Sequence, residues 1–344
     1  MTRTFTIAAL VALSIGVPVS RIHGSSGGAS VVRPCDAACQ AKRAAAAPRA
    51  AVVQPHAGGP KRPTIRMAIT LDDLPGGGPE VAGYTHARIL RDIIAILKAH
   101  HVSHAVGFVV GSMLENQPER RAALADWVQA GFEVGNHTYS HDTLAELGVD
   151  GYIKDILKNR PVVDALEQRT RQRHKYFRYP YLEEGRTENE RKALRRFLRE
   201  QHYTVARVSV RFSDTDWADP YLRCLQKGDG ASLETLGQTY LENAAAYLTW
   251  SVAAAREVFG HAIPQVLLLH PTVAAAKNLD AVLSAYEHAG VRYISLEEAL
   301  SEPAYAGHYD VSGDNLISRA SRSLGRPRPP DLVEPAALLD LVCR

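Results

Sequence analysis

Two aspartates stand side by side in "MAITLDDLPGGG" (67–78), where a short apolar run gives out. Adjacent carboxylates repel, and consecutive residues of a strand point to opposite faces. A second feature is "NHTYSH", which spaces His137 and His141 four apart. On one helical turn these share a face, and both imidazoles can reach one ion. Two histidines and one carboxylate leave coordination positions open, as a catalytic zinc site requires, and Asp73 is the carboxylate assigned to that set. Zinc suits this N/O ligand set, with Co2+ or Ni2+ as substitutes. A cation nearby relieves the repulsion between the aspartates, and Asp72, facing another way, stays free as a base. A solvated acidic turn or a helix cap accounts for a single aspartate better than for a pair after a buried run.

Such groups must be carried to one place by the elements around them. "IRMAITL" (65–71), "HAVGFVVG" (104–111), "FEVGNH" (132–137), "KYFRYP" (175–180), "TVARVSV" (204–210), "QVLLLHP" (265–271) and "RYISL" (292–296) read as strands. Helical patterns fall between them near 84–100, 118–131, 150–170, 187–202, 231–259 and 276–289, with a short helix after the last strand. About seven strands alternating with helices predict an α/β protein, a parallel sheet covered by helices, open or closed into a barrel. In such folds the active site lies at the C-terminal strand ends. Asp72 and Asp73 follow the first strand and His137 the third. Arg178 ends the fourth, Asp214 and Asp216 follow the fifth, and His270 ends the sixth.

With these residues in view, the chain resembles the polysaccharide deacetylases with a NodB-like domain, carbohydrate esterase family 4. "TLDDLP" is similar to the family's T-F-D-D-G, with Leu71 and Leu74 in place of the aromatic residue and the glycine. "HTYSH" matches H-[ST]-x-x-H, "RYPY" (178–181) matches R-x-P-[YW], "SDTDW" (213–217) approximates D-x-x-D-W, and "LLLH" (267–270) is similar to L-x-H. The matches occur in the family's order over roughly residues 65–300. The resemblance implies a distorted (β/α) barrel of NodB type and metal-dependent hydrolysis of N- or O-acetyl groups on a polysaccharide. It implies Asp72 as general base, Asp73, His137 and His141 as metal ligands, and Arg178 as the partner that keeps Asp72 a carboxylate. It makes His270 the general acid, with Pro180, Tyr181 and Trp217 on the substrate side, the Tyr181 N–H at the oxyanion, and Asp214 and Asp216 in support. A metal in that set polarises the acetyl carbonyl and lowers the pKa of bound water, while base and acid move the protons. One departure stands out: the aspartate that tunes the acid histidine is replaced by Ser213, with Asp214 one residue later. Either a bulge lets Asp214 serve, or His270 has a weaker partner; in the second case the chain is a catalytically impaired carbohydrate-binding relative. A non-haem iron oxygenase also uses two histidines and a carboxylate, but on an all-β scaffold with H-x-D spacing.

The rest of the chain bounds the setting. With 344 residues, 46% hydrophobic and 22% charged, it has the composition of a globular protein. A net charge of +3 without a basic stripe gives no case for nucleic acid. Residues 1–22 read as a signal peptide, with an uncleaved anchor as the alternative, and predict a secreted or periplasmic protein. Residues 23–63 read as an Ala/Pro/Gly-rich linker, 64–305 as the catalytic domain and 306–344 as a C-terminal extension. The four cysteines allow three pairings, of which Cys35–Cys39 with Cys224–Cys343 is preferred. His100 and His101 read as a helix end, Trp127 as core and "RRFLRE" (195–200) as a solvated helix face; Tyr139 reads as pocket or packing.

Overall fold

The run from Ile65 becomes the central strand, β1 (Ile65–Leu74), because seven of its ten residues are buried. The computed structural model describes residues 64–77, 79–309 and 314–344. The expected leader, the linker and Cys35–Cys39 lie outside the described residues. After β1 come α1 (His86–Ala99), β2 (Ala105–Val109), α2 (Pro118–Gln129), β3 (Glu133–Asn136), α3 (Leu144–Thr170), β4 (Lys175–Phe177), α4 (Glu188–Glu200) and β5 (Tyr203–Val205). The second half supplies α5 (Ala218–Lys227), α6 (Gly230–Phe259), β6 (Gln265–Leu269), α7 (Val273–His288), β7 (Val291–Tyr293), α8 (Leu296–Leu300), α9 (Pro303–Ala306), α10 (Leu316–Leu324) and α11 (Ala336–Leu341).

Local chemistry accounts for most boundaries. Thr85 caps α1, whose Ile89, Leu90, Ile93 and Leu97 form the buried stripe. His100 ends α1, its ring held by Glu287 at 2.9 Å and Asp280 at 3.1 Å. Pro118 opens α2, and Trp127 on that helix is fully buried. The helix α3 starts at Leu144, ahead of the apolar periodicity near 150, because Thr143 and Glu146 form a reciprocal capping box. A non-helical Gly148 then kinks it. The helix α5 has no counterpart in the sequence reading. The stretch "RRFLRE" is not a wholly solvated face: Leu198 is buried and Arg195 turns toward Glu184.

The strands are parallel, in the order β5-β4-β3-β2-β1-β6, with β7 pairing the start of β1. The expected strand 204–210 is split. Residues 203–205 pair with β4, whereas Ser209 and Val210 both donate to Val266 O on β6 and Leu268 donates to Val210 O. The intervening residues cross from one sheet edge to the other, so the sheet curls into a distorted barrel. Polar side chains staple that seam: the Ser209 hydroxyl donates to Gln265 and accepts from Val266 N–H, and Ser251 donates to Ser209 O.

The C-terminal segment is built onto this body. Leu316, Ile317 and Ala320 of α10 are buried with Trp250 and Tyr305. A disulfide joins Cys224 on α5 to Cys343, and Arg223 donates to Leu339 O at 2.8 Å. Among the described residues no helix is long and apolar enough to cross a membrane. Because the cross-link spans 119 residues, Cys343→Ser is expected to cost about 2–4 kcal/mol of unfolding free energy. A lower urea midpoint than the oxidised parent at equal slope checks it.

Candidate active site

The aspartate pair stays within β1 rather than following it. The pairing of β1 with β2 slips between Leu71 and Leu74, and Asp73 adopts a left-handed φ of 60°. That twist cancels the ordinary alternation of a strand. Both carboxylates therefore approach one imidazole: Asp72 Oδ2 lies 3.6 Å and Asp73 Oδ1 3.5 Å from His137 Nε2. The sequence reading had them facing apart.

The two histidines are not on a helical turn. They sit in the loop between β3 and α3, with left-handed φ at Thr138 (62°) and His141 (66°). Polar side chains from α3 impose that path. Asp155 accepts from the backbone N–H groups of Tyr139 and Ser140, and Asn159 donates to Asn136 Oδ1 and Val109 O. Residues 155 and 159 carry no motif, and only their position one helix downstream reveals the role. Tyr139 is packing: its hydroxyl meets Glu115, and Lys158 lies over its ring.

Asp73, His137 and His141 offer ligand atoms that all lie within 4.8 Å of one another. Among the described residues no donor is directed at Asp73 Oδ1 with hydrogen-bond geometry; it faces the two Nε2 atoms, His141's at 3.1 Å. His137 Nδ1 donates to Arg178 O at 2.8 Å, which fixes the tautomer and leaves the Nε2 lone pair toward Asp73. Burial lowers the His137 pKa against the opposing pull of Asp72 and Asp73, and so favours the neutral imidazole a metal needs. Burial would raise the Asp73 pKa, yet the His141 contact and the nearby imidazoles hold it well below the usual carboxylate range. These residues fit a divalent transition metal.

Arg178 stands beside them, fully buried. It donates to Asp72 Oδ1 at 2.9 Å, to Thr70 Oγ1 at 3.0 Å and to Ala206 O at 2.7 Å. Pro180 is buried beneath the following turn, where Tyr181 takes a φ of 55°. The Tyr181 ring packs edge-on against His141 at 4.7 Å and remains 63% exposed. Among the described residues its N–H meets no acceptor.

On the opposite wall Ser213 has a left-handed φ of 51°, and this single twist brings Asp214 inward. Asp214 accepts from His270 N–H at 2.7 Å and pairs with His270 Nδ1 at 2.8 Å. The bulge alternative is the one the fold adopts. Burial disfavours the charged His270 ring, but Asp214, with Asp73 and Asp72 behind it, pushes its pKa up to about 9. Asp73, His141, Tyr181 and His270 line a cavity of about 350 Å3 together with Met113, Asp219, Leu222 and Val273. Trp217 does not reach this cavity. It is fully buried, edge-on to Tyr240 with its indole N–H on Thr239, because the turn that brings Asp214 onto His270 sends the next aromatic into the core. Asp216 also points elsewhere, toward Glu334.

A family model described as "Polysaccharide deacetylase" matches residues 59–200. This stretch of the chain is similar to the polysaccharide deacetylase family. It contains the aspartate pair, both histidines, Arg178 and Tyr181, whereas Asp214 and His270 lie beyond it. A peptidoglycan-N-acetylglucosamine deacetylase of Bacillus cereus is 30% identical over 151 residues, which are 44% of this chain and 46% of that protein. The chain thus spans about half the length of that curated relative. Two solved structures are similar at lower identity. One, a carbohydrate esterase family 4 pseudoenzyme from Bacillus anthracis, is 20% identical, with 70% of this chain and 66% of that one covered and a TM-score of 0.45. The other, a peptidoglycan deacetylase from Bacillus subtilis, is 22% identical, with 70% and 93% covered and a TM-score of 0.43.

Zinc at about 100 times its Kd is expected to stabilise the fold by about 2.7 kcal/mol. The same addition to His141→Ala is expected to give little shift, which thermal unfolding with and without metal checks.

Proposed function

We propose that this protein is a metal-dependent deacetylase that removes N- or O-acetyl groups from an acetylated polysaccharide outside the cytoplasm. The observation that carries this reading is the meeting, in one cavity, of a histidine–aspartate metal set and an acid histidine locked by its own carboxylate, with Asp72 buried alongside. The leader-like residues 1–22 support export, and the named activity of the Bacillus cereus relative makes peptidoglycan fragments the first substrates to try.

A divalent cation, zinc in the first instance, held by Asp73, His137 and His141 supplies Lewis acidity toward the acetyl carbonyl and toward water. The chain's own groups do the rest. Asp72, oriented by Arg178, takes a proton from the attacking water. The Tyr181 N–H donates to the oxygen that gains charge at the tetrahedral stage. His270, held by Asp214, gives a proton to the departing nitrogen or oxygen, so acetate and a free amine or hydroxyl leave. The Tyr181 ring at the mouth offers an aromatic face to a sugar.

Incubating the full chain with peptidoglycan fragments, chitin oligomers and acetylated xylan, before and after chelation and zinc repletion, is expected to give acetate only with metal. Zinc-loaded protein that releases none from any of them refutes the reading. Asp72→Asn is expected to lose about 10²–10⁴-fold in kcat while still binding zinc. Because the acid form of His270 persists up to its raised pKa, activity falls as pH climbs through that value. Removing the Asp214 charge in Asp214→Asn is expected to move this basic limb down toward the ordinary histidine value of about 6.5, read from kcat against pH.

A further inference from the structure

The turn that presents Tyr181 is strained. Tyr181 and Leu182 both hold left-handed backbone angles, φ 55° and 58°, which non-glycine residues keep only when their surroundings impose them. One end of the turn is pinned at Arg178, whose Nε donates to Ala206 O. The other end is pinned at Glu184, which is 3% exposed. Arg207, the residue after Ala206, grips Glu184 with two donors, Nε at 3.0 Å and Nη2 at 3.3 Å. Arg319, from α10, donates to the same carboxylate and to Tyr309 O, and Arg195 of α4 lies 3.7 Å away. Arg207 is itself anchored on Tyr305 O and Gly307 O.

We infer that Glu184, clamped by Arg207 and by Arg319 of the C-terminal helix, is a positioning residue that holds the Tyr181 turn against the metal cluster. The catalytic part of this inference rests on the proposed deacetylase reading. Residue 319 lies outside the stretch that matches the family model, so the clamp brings a part of the chain beyond that match into the working of the site. The arginines, set against burial, push the Glu184 pKa down to about 2, in keeping with a carboxylate that stays charged inside the protein.

The test compares Arg319→Met with Arg322→Ala, an exposed residue of the same helix paired with Asp314. Amide exchange is followed at Leu182 and Glu183, whose N–H groups bond to Tyr179 O and Pro180 O. In Arg319→Met these amides are expected to exchange about tenfold faster and kcat to fall about tenfold, a fraction of what losing an oxyanion donor costs. KM and zinc affinity are expected to hold, and Arg322→Ala is expected to match wild type. If Arg319→Met does not fold, Arg319→Lys, which keeps the charge without the fork, carries the same readouts. Unchanged exchange at 182 and 183 overturns the clamp, and faster exchange with unchanged kcat overturns its positioning role. Wild-type protein that releases no acetate counts against the deacetylase reading instead, and leaves the exchange rates to decide the clamp.

Discussion

A guanidinium with no access to water needs partners, and Arg178 finds them for its Nε and Nη1 on separate segments of the barrel, while its Nη2 meets no acceptor among the described residues. Its side chain reaches Thr70 and Asp72 on the central strand and Ala206 at the start of the seam, and it lies over Phe108 at 4.4 Å. Its own carbonyl accepts from His137. Removing one partner from a buried charge costs far more than the pair contributes, so the segments are held jointly or not at all. The spacing between Asp72 and the Asp73–His137–His141 set is thereby tied to the integrity of the barrel itself.

The electrostatic design around that arginine divides in two. On the metal side, two carboxylates crowd one buried imidazole whose charged form burial disfavours, an arrangement that a cation resolves. On the acid side, a carboxylate keeps a histidine protonated. Groups of the same chemical types therefore meet opposite surroundings, which in the proposed mechanism separates base from acid at one site.

Much of this was readable in the sequence, and the failures have physical causes. Apolar periodicity found β1 and α1 because burial dictates the residue types there, and the motif spacing found the aspartates, the histidines, Arg178 and His270. What escaped depends on backbone twist or on distant partners. Left-handed angles at Asp73, Thr138, His141 and Ser213 reverse the direction of a side chain without leaving a mark in residue type. They explain why Asp72 and Asp73 face together, why the histidine pair needs no helix, and why Asp214 turns inward while Trp217 goes to the core. Asp155 and Asn159 were hidden because their work is for a segment fifteen or more residues upstream. The helix α10 was missed because its buried residues include Ser318, Arg319 and Ser321, which break any apolar period, and Arg319 reads as an ordinary surface charge until Glu184 is placed beside it.

The fastening of the C-terminal segment has a consequence for the order of assembly. Chains emerge from the ribosome N-terminus first, and domains tend to fold as they appear. Here the candidate ligands are complete by residue 141, but the proposed acid arrives at 270, the counterion of Glu184 at 319 and the cross-linking thiol at 343. The ligand set thus exists in a nascent chain long before the groups around it do. Whatever chemistry the cavity performs waits on residues made well after the ligand set, and a chain cut short after residue 141 retains those ligands while lacking the parts that surround them.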